Sequence, residues 1–196
     1  MSRQKYRKQR LQKRNFTAFI GVGFLVLGVV SFLWLSQNES SPAPTSQNDR
    51  SVTPMEVNFP APEFSLSTLE GETQSISDYK GKVVLVNNWA TWCPPCKAEM
   101  PSLRDFHNAN VSKGFTVIAV EAGDPKEDVL DFAKTLNLQF PVWLDSAGVS
   151  LKAIGNGSLP NSYVIDRTGT VRLAWTGEIS LAMLEKYVTP IIQESN

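Results

Sequence analysis

The chain has 196 residues, and its 19 lysine and arginine side chains balance 19 aspartate and glutamate side chains. Seven of the positive side chains lie in residues 1–14, which contain no acid, so the rest of the chain carries a net charge near −7. This length fits one domain with extensions, and the acidic remainder argues against nucleic-acid binding, because little there would neutralise phosphates.

Residues 16–35 contain no charged side chain. At about 1.5 Å per residue they would form a helix about 30 Å long, the hydrocarbon thickness of a bilayer. The stretch is too long for the apolar core of a signal peptide, and no small-x-small cleavage pattern follows at 36–41. We therefore predict a basic cytoplasmic tail over 1–14, an uncleaved single-pass transmembrane anchor over 15–36, and an extracytoplasmic domain beyond it. A cleaved signal and a buried soluble helix are the alternatives.

The next stretch, residues 37–57, is rich in Ser, Pro, Asn and Thr and poor in large apolar residues. Such a composition cannot bury a core, so it predicts a flexible linker. The folded domain is predicted over residues 58–196. Its first elements are two strands, at 63–69 and 73–76, joined by a Glu-Gly turn and followed by a short helical turn.

A β-branched apolar run, Val83–Val86, leads into Trp-Cys-Pro-Pro-Cys at 92–96. The run predicts a buried strand, and the two prolines fit only the first turn of a helix. Cys93 then stands at or just before the helix N-cap, where an anion is stabilised, and is predicted to be the exposed, activated sulfur. Cys96, about one turn deeper, is predicted to be the buried partner that closes a disulfide. An inert structural disulfide or half of a zinc site are the alternatives, although zinc normally needs two more ligands.

In the rest of the chain, predicted helices alternate with predicted strands, and a β-hairpin then precedes the last helix. We predict a helix from Cys93 to about residue 108, strands at 115–120 and 142–144, helices from Asp124 and at 149–154, hairpin strands at 162–166 and 170–175, and one closing helix over 181–192. This order predicts an α/β fold with a mixed central sheet flanked by helices on both faces.

The segment VNNWATWCPPC at 86–96 resembles the active-site segment of the thioredoxin superfamily. More narrowly, it is similar to that of the membrane-anchored, extracytoplasmic TlpA/ResA-type thiol–disulfide oxidoreductases. The resemblance covers about residues 60–192. It implies a thioredoxin fold with an N-terminal β-hairpin, no bound cofactor, and exchange through Cys93 and Cys96. It also implies that a membrane thiol carrier supplies the reductant and that the substrates are disulfides of exported proteins, apocytochrome c among them.

The same resemblance assigns the substrate-binding residues. It makes Leu159-Pro160 a cis-proline loop lying against the disulfide, with the backbone of Leu159 offering edge hydrogen bonds to an extended substrate segment. Trp92 would belong to the docking rim. From the sequence alone the peptide bond before Pro160 would be trans, since cis bonds are rare even before proline.

Glu99 lies one turn after Cys96 and shares its helix face. It is either an ordinary surface acid or, as the resemblance implies, an acid beside the disulfide that exchanges a proton with Cys96. Glu121, at the end of a buried strand, is a second candidate of this kind. Asn87 and Asn88 depart from the superfamily pattern, in which a buried Asp and a Phe are common. Because Asn cannot titrate, the proton acceptor must come from elsewhere.

The two prolines also bear on the direction of the reaction. A thiolate at an N-cap accepts amide hydrogens from the first helical turn, but Pro94 and Pro95 have none, which leaves the amide of Cys96 as the near donor. Moderate stabilisation of the Cys93 thiolate favours a reductant. A disulfide donor, a metal-binding module and a redox-inert scaffold are the alternatives.

Overall fold

The computed structural model describes residues 51–194 of the chain. The predicted cytoplasmic tail, the transmembrane anchor and residues 37–50 of the predicted linker lie outside this range. Within residues 51–194, no helix is both long and apolar enough to cross a bilayer.

Among residues 51–194, eight strands form one mixed sheet in the order β1-β8-β7-β4-β5-β6-β2-β3. They are β1 Met55–Pro60, β2 Ser65–Thr68, β3 Thr73–Ser75, β4 Val83–Trp89, β5 Phe115–Glu121, β6 Val142–Leu144, β7 Asn161–Ile165 and β8 Thr170–Thr176. Strand β4 runs parallel to β5 and antiparallel to β7. Strands β4 and β5 are buried along their whole length, as expected for central strands covered on both faces.

In the described range, five α-helices accompany the sheet: α1 Pro94–Asn110, α2 Lys126–Thr135, α3 Val149–Ile154, α4 Leu181–Tyr187 and α5 Thr189–Gln193, with short 3₁₀ turns at Ile76–Tyr79 and Val111–Lys113. The prediction of one closing helix over 181–192 is wrong. Val188 separates α4 from α5, and Pro190 lies in the first turn of α5. A proline inside a longer helix would remove a hydrogen bond and clash with the preceding turn.

The boundary of the predicted linker at residue 57 is also wrong. Strand β1 begins at Met55 and pairs antiparallel with β8, and the amide of Val52 already donates to the carbonyl of Glu178 at 2.9 Å. The strand is mostly exposed, so it lacks the apolar alternation by which a strand is recognised in sequence.

Two apolar cores lie on opposite faces of the sheet. The larger one joins the sheet to α1, α2, α4 and α5 and contains Trp89, Met100 and Leu184, together with both cysteines. The smaller one is built around Trp143 and Tyr163, with the 3₁₀ turn and α3 against it. The expected mixed sheet with helices on both faces is confirmed, and it leaves the turn between β4 and α1 at one end of the sheet.

Candidate active site

The cysteines lie where β4 gives way to α1. Cys93 is the N-cap of α1 and has an extended backbone, and Pro94 and Pro95 occupy the first helical turn. Cys93 and Cys96 form a disulfide with their Cα atoms 5.3 Å apart. As the two prolines require, the amide of Cys96 is the first-turn donor that reaches the sulfur of Cys93, at 3.4 Å. One amide therefore contacts the sulfur that would become the thiolate.

The predicted exposure of Cys93 is wrong for this oxidised state. Cys93 is 3% exposed and Cys96 is 0% exposed. The sulfur of Cys93 is bonded to that of Cys96 and turned toward the start of α1, and both cysteines belong to the larger core. Trp92, the residue immediately before, is instead 66% exposed, which makes it a large apolar surface beside the disulfide.

Glu99 is buried, and the alternative that it is an ordinary surface acid is wrong. Its Oε1 accepts a hydrogen bond from Nδ2 of Asn87 at 2.8 Å, and its Oε2 accepts one from the amide of Ile179 at 3.2 Å. Burial raises the pKa of Glu99 to about 8, against the opposing effect of these two hydrogen bonds. A carboxyl with that pKa is mostly protonated at neutral pH and can both give and take a proton near the range of a thiol.

Asn87 connects Glu99 to the neighbouring strand. Its Nδ2 also donates to Oγ of Ser162 at 2.9 Å, and Asn87 and Ser162 face each other in the β4–β7 register. Because Asn87 does not titrate, the proton-carrying group of this hydrogen-bonded set is Glu99. The sequence indicated only that the proton acceptor must be a group other than Asn87, and the partners Ser162 and Ile179 depend on contacts between distant parts of the chain.

The peptide bond between Leu159 and Pro160 is cis, as the resemblance implied. Pro160 is buried, and β7 begins directly after it at Asn161, opposite Asn88 of β4. This pairing brings the 156–160 loop to the end of the sheet from which the active-site turn leaves β4. The roles of Trp92, Leu159 and Pro160 in substrate binding stay predictions.

Glu121 forms a second buried carboxyl site beside the active-site turn. Its oxygens accept the amides of Gly123 and Asp124 at about 3.0 Å. Asp124 in turn accepts the amide of Thr91, two residues before Cys93, at 2.7 Å. Burial raises the pKa of Glu121 to about 7, and the neighbouring carboxyl of Asp124 adds to the rise. The pKa of Asp124 is lowered because its hydrogen bonds from Thr91 and Glu121 outweigh the effect of burial.

Comparison with known proteins agrees with this geometry. The model of the AhpC/TSA family matches residues 57–174. The chain belongs to the AhpC/TSA family. The match runs from β1 to β8 and includes the cysteine pair, Glu99 and the cis-proline loop.

Two curated relatives are thiol–disulfide oxidoreductases named ResA. The protein from Geobacillus thermodenitrificans is 37% identical over 139 residues, which cover 71% of this chain and 80% of the relative. The one from Bacillus thuringiensis subsp. konkukian is 38% identical over 137 residues, covering 70% and 79%. Among solved structures, a thiol:disulfide interchange protein of the thioredoxin family from Chlorobium tepidum superposes with a TM-score of 0.63 at 30% identity, covering 70% of this chain and 99% of that one.

These relationships and the Cys93–Cys96 pair make this AhpC/TSA family member a thiol–disulfide oxidoreductase with a thioredoxin-like fold. The comparisons also agree with the resemblance to ResA-type proteins carried by residues 86–96.

Proposed function

We propose that this protein is a membrane-anchored, extracytoplasmic reductase that reduces disulfide bonds of exported proteins. The observation that carries the proposal is the redox-active Cys93–Cys96 pair with a buried, hydrogen-bonded Glu99 one turn behind it. The apolar, charge-free residues 16–35, preceded by a basic segment, support an anchor with the catalytic domain outside.

The reaction begins with the reduced protein. The Cys93 thiolate attacks one sulfur of the substrate disulfide, that bond breaks, and the other substrate sulfur leaves as a thiolate. The Cys96 thiolate then attacks the Cys93 sulfur of the mixed disulfide. This step releases the second substrate thiolate and forms the Cys93–Cys96 bond, so two electrons have passed to the substrate. A thiol reductant must then reduce the pair, and a membrane thiol carrier fits this requirement.

Glu99 has the properties needed to manage the proton of Cys96. Burial raises its pKa to about 8, so Glu99 can hold at neutral pH a proton that a surface carboxyl would release. When ionised, Glu99 takes the proton from Cys96 before it attacks Cys93. When the pair is reduced again, it returns the proton.

The reducing direction is supported by the N-cap of α1. The structure places a single amide, that of Cys96, against the sulfur of Cys93. A poorly stabilised thiolate makes the dithiol a stronger electron donor, because a strong oxidant of this kind is one whose reduced form is stabilised.

A trapping experiment tests the reaction. In cells that express the full-length Cys96→Ser variant, Cys93 should remain bonded to substrates as mixed disulfides that dithiothreitol releases. The Cys93→Ser variant is the matched control and should trap few of them. Equal capture by both variants would contradict the assignment of Cys93 as the attacking sulfur.

A labelling experiment tests the compartment. The chain has two cysteines, so a variant with both changed to Ser gives a background free of thiols. After reduction of intact cells, a membrane-impermeant maleimide should label the wild-type chain and not this variant. Labelling that requires cell lysis would contradict an extracytoplasmic site.

Apocytochrome c is the substrate that the resemblance to ResA-type proteins suggests. Cells of the source organism that lack this chain should then contain less haem-bearing cytochrome c, and an added thiol reductant should restore it. Normal cytochrome c content would direct the search to other exported proteins.

A further inference from the structure

Asn88 faces the smaller core from the last part of β4 and is 1% exposed, although Phe is common at this position in the superfamily. Its partner in the β4–β7 register is Asn161, which is 2% exposed. Nδ2 of Asn88 donates to Oδ1 of Asn161 at 2.9 Å. Two amide side chains buried in this way cost folding free energy unless their hydrogen bonds are used.

Asn161 also forms hydrogen bonds with the loop that precedes β7. Its Nδ2 donates to the carbonyl of Ser158 at 2.7 Å and to that of Asn156 at 3.3 Å. Asn156 in turn accepts the amide of Ser158 at 3.0 Å and donates to Oγ1 of Thr176 at 2.9 Å. Hydrogen bonds of Asn161 and Asn156 therefore hold the 156–160 loop, and Asn88 is the buried partner that fixes the other end of the Asn161 side chain.

The backbone carbonyls of the loop determine how the side-chain amides of Asn161 and Asn88 are oriented. Backbone carbonyls only accept hydrogen bonds, so Asn161 must turn its Nδ2 toward Asn156 and Ser158. Its Oδ1 then points at Asn88, which must present Nδ2. A side chain without a donor at position 88 would leave Oδ1 of Asn161 buried and without this partner.

The loop leaves the backbone groups of one residue available, and this residue, Leu159, packs against the core that contains both cysteines. Carbonyls of Ser158 and Pro160, on either side of Leu159, are both occupied, the latter by the amide of Gly177 at 2.9 Å. Within the described part of the chain, the N–H and C=O of Leu159 itself make no hydrogen bond. An extended polypeptide segment could pair with these two groups as a strand pairs with a sheet edge.

We propose that Asn88 and Asn161 are positioning residues that hold the 156–160 loop in the shape in which Leu159 binds an extended substrate segment. The inference rests on the proposed reductase function and deepens it, because it predicts that polypeptide disulfides and small disulfides depend differently on the loop. A polypeptide disulfide uses the loop, whereas a small disulfide reaches Cys93 without it.

The test compares two disulfides with the full-length protein and dithiothreitol as reductant. Insulin is the polypeptide substrate, and 5,5′-dithiobis(2-nitrobenzoate) is the small one. Asn88→Leu removes the donor at similar volume, and Asn161→Asp keeps an acceptor for Asn88 but cannot donate to the loop carbonyls. For both variants we expect KM for insulin to rise about tenfold, with kcat and the rate with the small disulfide changed by less than about twofold.

Asn110→Leu is the matched control, because it removes another buried amide hydrogen bond, to the carbonyl of Phe106 at the far end of α1. Its KM for insulin should stay at the wild-type value. Thermal unfolding checks that each variant is folded, and Asn88→Ala replaces Asn88→Leu if the latter does not fold.

Three results would overturn the inference: an unchanged KM for insulin in a folded Asn88 or Asn161 variant, an equal loss with both disulfides, or the same rise in KM in Asn110→Leu. A wild-type protein that reduces neither disulfide would instead contradict the proposed function. The reduction potential of the Asn88 and Asn161 variants should equal that of the wild type, since the loop acts on substrate binding and not on the sulfur atoms.

Discussion

The side-chain amide of Asn87 donates to Oε1 of Glu99 at 2.8 Å, and this bond joins the strand that enters the active-site turn to the helix that leaves it. Glu99 is also tied to the amide of Ile179, which lies between β8 and α4. The carboxyl is therefore held at a fixed place, one turn behind Cys96, by hydrogen bonds from two other segments of the fold. Because its pKa is raised, the free energy of unfolding should depend measurably on pH.

The first prediction concerns the stability of the oxidised protein. Burial raises the pKa of Glu99 from an ordinary 4.5 to about 8, so the folded state holds this proton where the unfolded state releases it. Between these two values the free energy of unfolding must fall as pH rises, by an amount on the order of 5 kcal/mol for Glu99. Urea unfolding at several pH values should show this decline in the wild type and a clearly flatter profile in Glu99→Gln.

The two proteins should be compared by the slope of the free energy of unfolding against pH, because the substitution also lowers this free energy by an amount that does not vary with pH. The amide nitrogen of Gln cannot accept a hydrogen bond, so Asn87 or Ile179 loses an acceptor at every pH. Glu185→Gln, on α4, is a suitable control for loss of a carboxyl elsewhere. A decline in Glu99→Gln as steep as in the wild type would show that Glu99 does not carry the raised pKa.

The second prediction concerns the carboxyl pair beside the active-site turn. Glu121, with a pKa raised by burial to about 7, is linked to Thr91 through Asp124. In a pH titration by NMR, the amide resonance of Thr91 should therefore shift with a midpoint near 7, and this transition should be absent in Glu121→Gln. A midpoint that persists in the variant would assign the titration to another group.

The third prediction concerns the thiolate of the attacking cysteine. Changing Pro94 to Gly and Pro95 to Ala supplies two more amide hydrogens at the start of α1, next to the single one that now contacts Cys93. The pKa of Cys93 in the reduced protein should fall by about half a pH unit or more. Thiolate absorbance in the ultraviolet, measured in a Cys96→Ser background, gives this value directly.

Pro101→Ala is the control for the third prediction, because Pro101 lies in the same helix but beyond its first turn. It should leave the pKa of Cys93 unchanged. A rise, or no change, in the variant with both N-terminal prolines replaced would contradict the account of the N-cap.

The fourth prediction concerns Trp92, which is 66% exposed beside the disulfide. If it forms part of the docking rim, Trp92→Ala should raise KM for insulin about fivefold or more, as expected for an aromatic anchor. Its effect on the free energy of unfolding should be small, within about 0.5 kcal/mol. Met55, equally exposed on edge strand β1, provides a matched control: Met55→Ala should leave KM unchanged.

Local signals in the sequence were sufficient to predict most helices and strands and the positions of the two cysteines in the fold. The Val-rich run and the two prolines that follow it have one consistent arrangement, a buried strand and a helix start, so the placement of Cys93 could be predicted. Strand β1 could not be, because it is exposed and exists by pairing with β8, more than a hundred residues later. Nor could the break at Val188 be inferred from the apolar pattern alone.

Helical spacing was enough to predict which residues of the candidate site share a helix face, but not which of them are buried or what they contact. That Glu99 shares a face with Cys96 follows from three residues of separation, but its burial depends on the packing of α4 and on the amide of Ile179. Asn88 had no evident role in sequence, since its partner Asn161 lies 73 residues away and meets it through the β4–β7 register. The low exposure of Cys93 could not be predicted from its place at the helix start, because it results from the disulfide with Cys96 and from packing within the larger core.

The central claim is that the Cys93–Cys96 pair works as an electron donor, and its reduction potential tests this most directly. The full-length protein is equilibrated with mixtures of reduced and oxidised dithiothreitol or glutathione, and the fraction of disulfide is measured by thiol alkylation. We predict a potential near that of thioredoxin, about −270 mV. A value near about −120 mV, that of the oxidant DsbA, would contradict the account and make the protein a disulfide donor.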